Sequence, residues 1–242
     1  MKKIVLTSLS ALMLSVAAAG AAETCKTCES NNNTKVFFGV NAGMTGFNYD
    51  QAFNFITETV LPLANDVALK FPKYDTTIGM EGGMRFGKYK SVWNGGFTIS
   101  ADKTLGKKPN IIAPAKFWNP DTTGWSAMEI TKHKLLTETV SSLKANVNIL
   151  AATFDNYIRL NKSVENRLDF VVGVGVADVE TDVNLYGLGV SLSSHAAVFK
   201  AGLELELTDN ISMTMGTRMY TPVAGQYYDS FYSFKGGLKF LF

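Results

Sequence analysis

Cysteine, histidine and proline are scarce in this chain of 242 residues, which has two Cys, two His and six Pro. Two cysteines cannot form the framework of bridges that staples small secreted domains. Cys25 and Cys28 make a CxxC, but the redox form of that motif needs a thioredoxin-like βαβ context, and none follows. A zinc site would need two further ligands nearby, and His133 and His195 are far away in sequence. The pair therefore reads as a possible local disulfide in an exposed tail of an oxidising compartment. No metal and no cofactor is expected.

Long apolar runs and excess charge are missing too. Beyond the first residues no stretch reaches the ~18 apolar positions of a membrane-spanning helix. Lys2 and Lys3, the apolar Ile4 to Ala19 and the small Ala19-Gly20-Ala21-Ala22 read as a signal peptide over 1–22. Without Lys2 and Lys3 the 23 basic residues become 21, equal to the 21 acidic ones. A neutral chain carries no electrostatic footprint for nucleic acid. Residues 23–34, with Ser30-Asn31-Asn32-Asn33, read as a polar tail.

What the sequence does have, from 35 to 242, is period-two alternation. In the last stretch Tyr232, Phe234, Gly236, Leu238, Phe240 and Phe242 alternate with Ser233, Lys235, Gly237, Lys239 and Leu241. The same pattern recurs in Lys35–Phe47, Asp75–Gly87, Val92–Asp102, Leu168–Val179, Ala196–Thr208 and Ile211–Tyr220. Between Ser126 and Leu143 the pattern suits either a helix or the rising half of a strand. A strand is expected from about Thr137, its apolar face carrying Leu143, Ala145, Val147, Ile149 and Ala151. Within Asn48–Pro72 a short amphipathic helix interrupted by Pro62 is expected over Phe55 to Ala68, and about Glu180 to Ser194 is expected to be a third connection, with an extension of the flanking strands over Leu185 to Leu192 as the alternative. Eight strands with alternating long and short connections predict an all-β fold, an eight-stranded antiparallel up-and-down transmembrane β-barrel. Only a closed barrel lets strands cross lipid without orphaned backbone groups.

Phe170 to Val176 (FVVGVGV), Ala201 to Met213 (AGLELELTDNISM) and Phe234 to Phe242 (FKGGLKFLF) resemble the outer membrane protein β-barrel family. These are the small OmpA-like and OmpX-like eight-stranded barrels and related bacterial surface antigens. The resemblance implies a bacterial outer-membrane location, lipid as the surrounding partner, and an assembly machinery that reads Leu238, Phe240 and Phe242 in the closing strand. No peptidoglycan-binding domain is expected after Phe242.

If the apolar faces look outward, the lumen receives Glu81, Arg85, Asp102, Lys144, Asp169, Lys200, Glu204, Glu206, Arg218, Lys235 and Lys239. Both signs are present, so a mutually neutralising network is expected, and eight strands enclose just enough room for their own side chains. The alternative is a narrow porin-like channel or a conduit for apolar ligands. Catalysis is not expected. His195 beside Ser193 and Ser194 is the one candidate, Ser194 points to the opposite face, and Glu204 or Glu206 could orient a base only from deeper. His133 reads as an ordinary loop residue. Recognition is expected on the outer loops through Phe53, Phe55, Leu61, Leu63, Phe71, Phe117, Trp118 and Trp125. They would dock a host or envelope protein, giving an adhesin-like, antigenic or structural role.

Overall fold

The structure is a computed structural model, and it describes residues 34–48, 68–70, 72–87, 92–108, 110–112, 119–161, 167–185, 188–223 and 228–242. Eight long strands form the cylinder: β1 (Lys35–Gly46), β3 (Asp75–Phe86), β4 (Trp93–Thr104), β6 (Lys144–Arg159), β7 (Leu168–Leu185), β8 (Leu188–Thr208), β9 (Ile211–Pro222) and β10 (Phe231–Leu241). They close in the order β1-β10-β9-β8-β7-β6-β4-β3, every neighbour antiparallel. Closure joins the first strand to the last, with Phe38 opposite Phe240 and Val40 opposite Leu238. The long connections before β3 and before β6 leave from one end, here the upper rim, which also carries the tight turn between β7 and β8, and the chain ends lie at the lower rim.

Two short strands, β2 (Ala68–Lys70) and β5 (Asn110–Ile112), pair antiparallel and tie the first long connection to the second. Ala68 is therefore strand, where a helix was expected. A helix, α1 (Ala127–Ser142), precedes β6 and replaces the expected strand from Thr137. Its start has a local cause. Ser126 Oγ accepts from the Glu129 N–H at 3.3 Å, while the Glu129 carboxylate accepts from the Ser126 N–H at 2.7 Å, which is a capping box. His133 lies on this helix and not in a loop.

Period two holds along each strand, but its sense changes with height. In the lower part the large apolar side chains point out: Val174 and Val176 are 56 % and 67 % exposed. In the upper part of β6, β7 and β8 the apolar side chains point in, and Val147 and Val179 are wholly buried. Leu143, Ala145, Val147, Ile149 and Ala151, expected on the outside, join Val183, Val198 and the aromatic rings in one buried cluster. Lys144, expected in the lumen, is exposed on the outer face. The physical reason is that this face joins a larger apolar cluster inside, while the opposite face carries Lys144, Asn146 and Asn148, which are better solvated outside.

The strands also differ in length. β7 and β8 have 18 and 21 residues, against 12 in β1, β3, β4 and β9. The expected connection from Glu180 to Ser194 is thus mostly strand, paired from Glu180 opposite Ser193 up to Leu185 opposite Leu188. β9 ends at Pro222 opposite Ala196, so β6, β7 and β8 rise above the rest as a three-stranded extension.

Candidate functional site

Alternation delivers polar side chains from all eight strands into the cylinder. Near the lower rim, Arg85 Nη2 lies 2.5 Å from Asp169 Oδ2 and Arg85 Nη1 3.3 Å from Glu206 Oε1. Arg167, fully buried just before β7, adds its Nε at 2.9 Å from Asp169. At mid-height Lys239 Nζ lies 2.8 Å from Glu204 and 3.4 Å from Glu81. Arg218 reaches Glu81 at 2.7 Å and Asp102 at 3.2 Å, and Asp102 also contacts Lys235. Lys200 Nζ lies 2.7 Å from Asp155, whose carboxylate accepts from the hydroxyls of Thr98 and Thr153. In these contacts six cations face six carboxylates. Balance matters here, since a buried charge that loses its partner costs several kcal/mol.

Aromatic rings bracket the network. Lys239 Nζ is 4.5 Å from the Phe37 ring centroid, and the Arg85 guanidinium 4.5 Å from that of Tyr157. Above it, Phe231 stacks on Tyr220 at 4.7 Å and meets Phe47 edge-on at 5.0 Å, with Tyr228 against both Phe47 and Phe231. Tyr228 is fixed by a 2.7 Å hydrogen bond between its hydroxyl and Ser194 Oγ. Within the charge network a cavity of about 50 Å³ touches Asn41, Glu81, Lys200, Lys235 and Lys239. That is space for a few waters. Gly79 beside it has to be glycine, because an added Cβ would land on the Asp102 carboxylate.

Ten of the eleven residues expected in the lumen are thereby brought together, and Lys144 is not among them. Asp155 and Arg167 were missed. For Asp155 the signal was present: continuing period two from Ala151 puts Thr153 and Asp155 on the same face, and a carboxylate there marks that face as interior. Arg167 adjoins a polar turn and carried no such signal.

Of the residues expected to carry recognition, Phe53, Phe55, Leu61, Leu63, Phe71, Phe117 and Trp118 lie outside the described residues, as do 1–22, Cys25 and Cys28. Trp125 is described and packs on His133 with ring centroids 5.4 Å apart. Leu238, Phe240 and Phe242 are exposed on the outer wall. The outer face of the three-stranded extension is hydrophilic. Ser193 donates to Asp178 at 3.1 Å, His195 Nδ1 lies 3.6 Å from the same Oδ1, and Asp182 accepts from Asn148 and Ser191. The acid facing His195 is thus Asp178 of the adjacent strand, not the deeper Glu204 or Glu206. Ser193 bonds to that acid and not to the imidazole. Among the described residues, no cluster of His, Cys, Asp and Glu could hold a metal ion, and no helix is long and apolar enough to cross a membrane.

The sequence matches no protein-family model and no curated protein. Solved structures similar to it include the attachment invasion locus protein Ail of Yersinia pestis, at 12 % identity over 86 % of this chain and 98 % of that one, with a TM-score of 0.46. Neisserial surface protein A is similar at 8 % identity over 86 % and 97 %, TM-score 0.45. The N-terminal β-barrel domain of Pseudomonas aeruginosa OprF is similar at 9 % identity over 85 % and 97 %, TM-score 0.42. The chain itself is a closed eight-stranded antiparallel barrel whose lower part has an apolar exterior and a polar interior.

Proposed function

We propose that this protein is a bacterial outer-membrane barrel whose role is structural and surface-interacting, with its lumen closed and its recognition surface at the upper rim. The observation that carries this reading is the change of polarity along β6, β7 and β8. A wall that is apolar outside and charged inside, then hydrophilic outside and apolar inside, is the wall of a cylinder that leaves lipid and enters water. Soluble barrels have no use for the lower arrangement, since Val174, Val176, Phe199, Met213, Met215, Phe234 and Leu238 would all face water. Trp93 near one edge of the belt, and Tyr74 and Tyr232 near the other, suit the aromatic girdles of membrane barrels.

Closure of the lumen is supported by the paired charges and by the aromatic layer of Phe47, Tyr220, Tyr228 and Phe231 above them. Recognition at the upper rim is supported by the linkage of both long connections through β2 and β5, which places two loops side by side on one scaffold. Leu238, Phe240 and Phe242 on the outer wall suit strand-by-strand reading by an assembly machinery. The test is reconstitution. The protein should insert into lipid vesicles, show β-type circular dichroism with heat-modifiable gel mobility, and give no steady current in planar bilayers. A chain that stays monomeric and folded in detergent-free buffer would overturn the membrane reading, and a steady single-channel current would overturn the closed lumen. Deleting the loop residues 51–66 should abolish binding to host or envelope surfaces without loss of barrel mobility.

A further inference from the structure

The three-stranded extension has two edges, one on β6 and one on β8. The β6 edge is covered. Lys107 and Ala145 exchange both backbone hydrogen bonds, at 3.1 and 3.2 Å, and the Thr104 hydroxyl accepts from the Val147 N–H at 2.8 Å. The β8 edge is open. β9 ends opposite Ala196, and above it the Val223 N–H makes one more bond to this side, at 3.1 Å to the His195 carbonyl. Backbone groups in a strand switch sides at every residue, so the N–H and C=O of Ser193, Ser191 and Gly189 point the same way as those of His195. Among the described residues no strand pairs with them there. Free edges are normally blunted by lysine, proline, a bulge or a covering segment. Gly189 to Ser194 (GVSLSS) contains no lysine or proline, and its pairing with β7 runs without a register shift.

The two faces of this edge decide what fits beside it. Inward, Val190 and Leu192 are half-buried and pack on the apolar cluster. Outward, Ser191 and Ser193 are exposed and small, and an added side chain at Gly189 would meet nothing. Behind them on β7, Asp178 and Asp182 lean across β8: Ser193 donates to Asp178 Oδ1 at 3.1 Å, and Ser191 donates to Asp182 Oδ1. Each serine thus draws a carboxylate toward the open edge. On a strand added there, lysine or arginine opposite Ser191 and Ser193 would be long enough to pass over the serine and reach that carboxylate. A second copy of this chain, paired through the same edge, would instead bring two rows of carboxylates toward each other.

Resting on the reading of the upper rim as the recognition surface, we infer that the free edge of β8 from Gly189 to Ser193 takes up an extended segment of a partner protein as a further strand, one in which apolar residues alternate with lysine or arginine. Its backbone bonds to Gly189, Ser191 and Ser193. Its apolar side chains cover Val190 and Leu192, and its basic ones pair with Asp178 and Asp182. Main-chain bonds supply the affinity and the alternating side chains the selection.

The test uses the full chain in nanodiscs of phosphatidylcholine and a fluorescent, capped peptide of about seven residues in which lysine alternates with valine. Anisotropy should report saturable binding, absent from empty nanodiscs and about tenfold tighter than for a peptide alternating glutamate with valine. Ser191→Pro should abolish it, because the N–H that it removes points to the open side and the pairing with β7 is kept. Asp178→Asn with Asp182→Asn should remove most of the difference between the two peptides. Heat-modifiable mobility of each variant shows that the barrel is intact. No saturable binding, equal binding of the two peptides by the unaltered chain, or undiminished binding by Ser191→Pro overturns the site. A dimer in nanodiscs that Ser191→Pro dissociates would assign the edge to a second copy and overturn it as well. Recognition at the upper rim fails by a different result, undiminished binding to host or envelope surfaces after deletion of 51–66. A chain that forms no barrel overturns the membrane reading instead.

Discussion

Arg218 and Glu81 meet at 2.7 Å although their strands, β9 and β3, are separated on the cylinder by β10 and β1. The contact therefore bridges the lumen instead of running along one wall. It shares Glu81 with Lys239 and Arg218 with Asp102, so one pair links the upper half of the charge network to the lower. Removing one partner leaves the other buried without its counter-charge.

Glu81→Gln should accordingly destabilise the barrel by roughly 3–5 kcal/mol, the cost of stranding a buried charge. Arg218→Met alone should cost a similar amount, while the double variant should cost clearly less than the sum. Urea unfolding of the four proteins in lipid vesicles, read as a double-mutant cycle, measures this coupling. Strict additivity would mean that the two groups do not interact.

A second expectation follows the height at which polarity changes. Val174 and Ser191 both point outward, but Val174 lies in the apolar belt and Ser191 on the extension above it. Val174→Lys should cost ~2–4 kcal/mol in vesicles, as a cation facing hydrocarbon does. Ser191→Lys should change stability by less than about 0.5 kcal/mol, the ordinary value for a surface site. A comparable loss at both positions would show that the belt does not end between Val176 and Asp178.

Strand existence was legible in the sequence because alternation is a local property, and Leu203–Leu207 shows it in every residue. Which face pointed inward was legible wherever the other face carried charge, as with Lys235 and Lys239. It failed in β6. There the outer face bears Lys144, Asn146 and Asn148 and the inner face Ala145, Val147 and Ile149. Alternation has no sign of its own, and the sign is set by the medium at that height. The start of α1 was ambiguous for a different reason. Apolar residues in Ala127–Ser142 are few and spread around the helix, so it lacks the stripe that announces an amphipathic helix, and its capping box is the only strong local cue. The lumen pairs could be enumerated but not matched, because cross-barrel partners depend on the stagger of the strands.

The capping box predicts a pH dependence confined to α1. The Glu129 carboxyl is held below its usual range, first by the Ser126 N–H and then by the Ser126 hydroxyl. A carboxyl with a depressed folded-state pKa stabilises the helix above its unfolded value and loses that contribution as pH falls through the folded one. The protection of the Ala127–Thr131 amides, taken as their exchange relative to the intrinsic rate at each pH, should therefore fall on acidification into the carboxylate range and stay constant near neutrality. Glu129→Gln should abolish the pH dependence, and Ser126→Ala should speed exchange at every pH. If acidification leaves the protection of those amides unchanged, the carboxylate does not cap the helix.

Phe231 is the ring through which the aromatic layer is joined, touching Phe47, Tyr220 and Tyr228. Phe231→Ala removes a fully packed ring from a buried cluster, so a loss of ~3–5 kcal/mol is expected in vesicle unfolding. The charged layer beneath is unaffected by that change, because its pairs lie lower on β3, β7, β8 and β9 and do not include Phe231. The lumen should consequently remain non-conducting in Phe231→Ala, and only the further loss of Lys239, as in Phe231→Ala with Lys239→Ala, should admit a measurable current. Planar-bilayer recording of the single and double variants distinguishes two stacked seals from one. A steady current in the single variant would mean that the rings alone close the barrel and that the ion pairs serve stability, not closure.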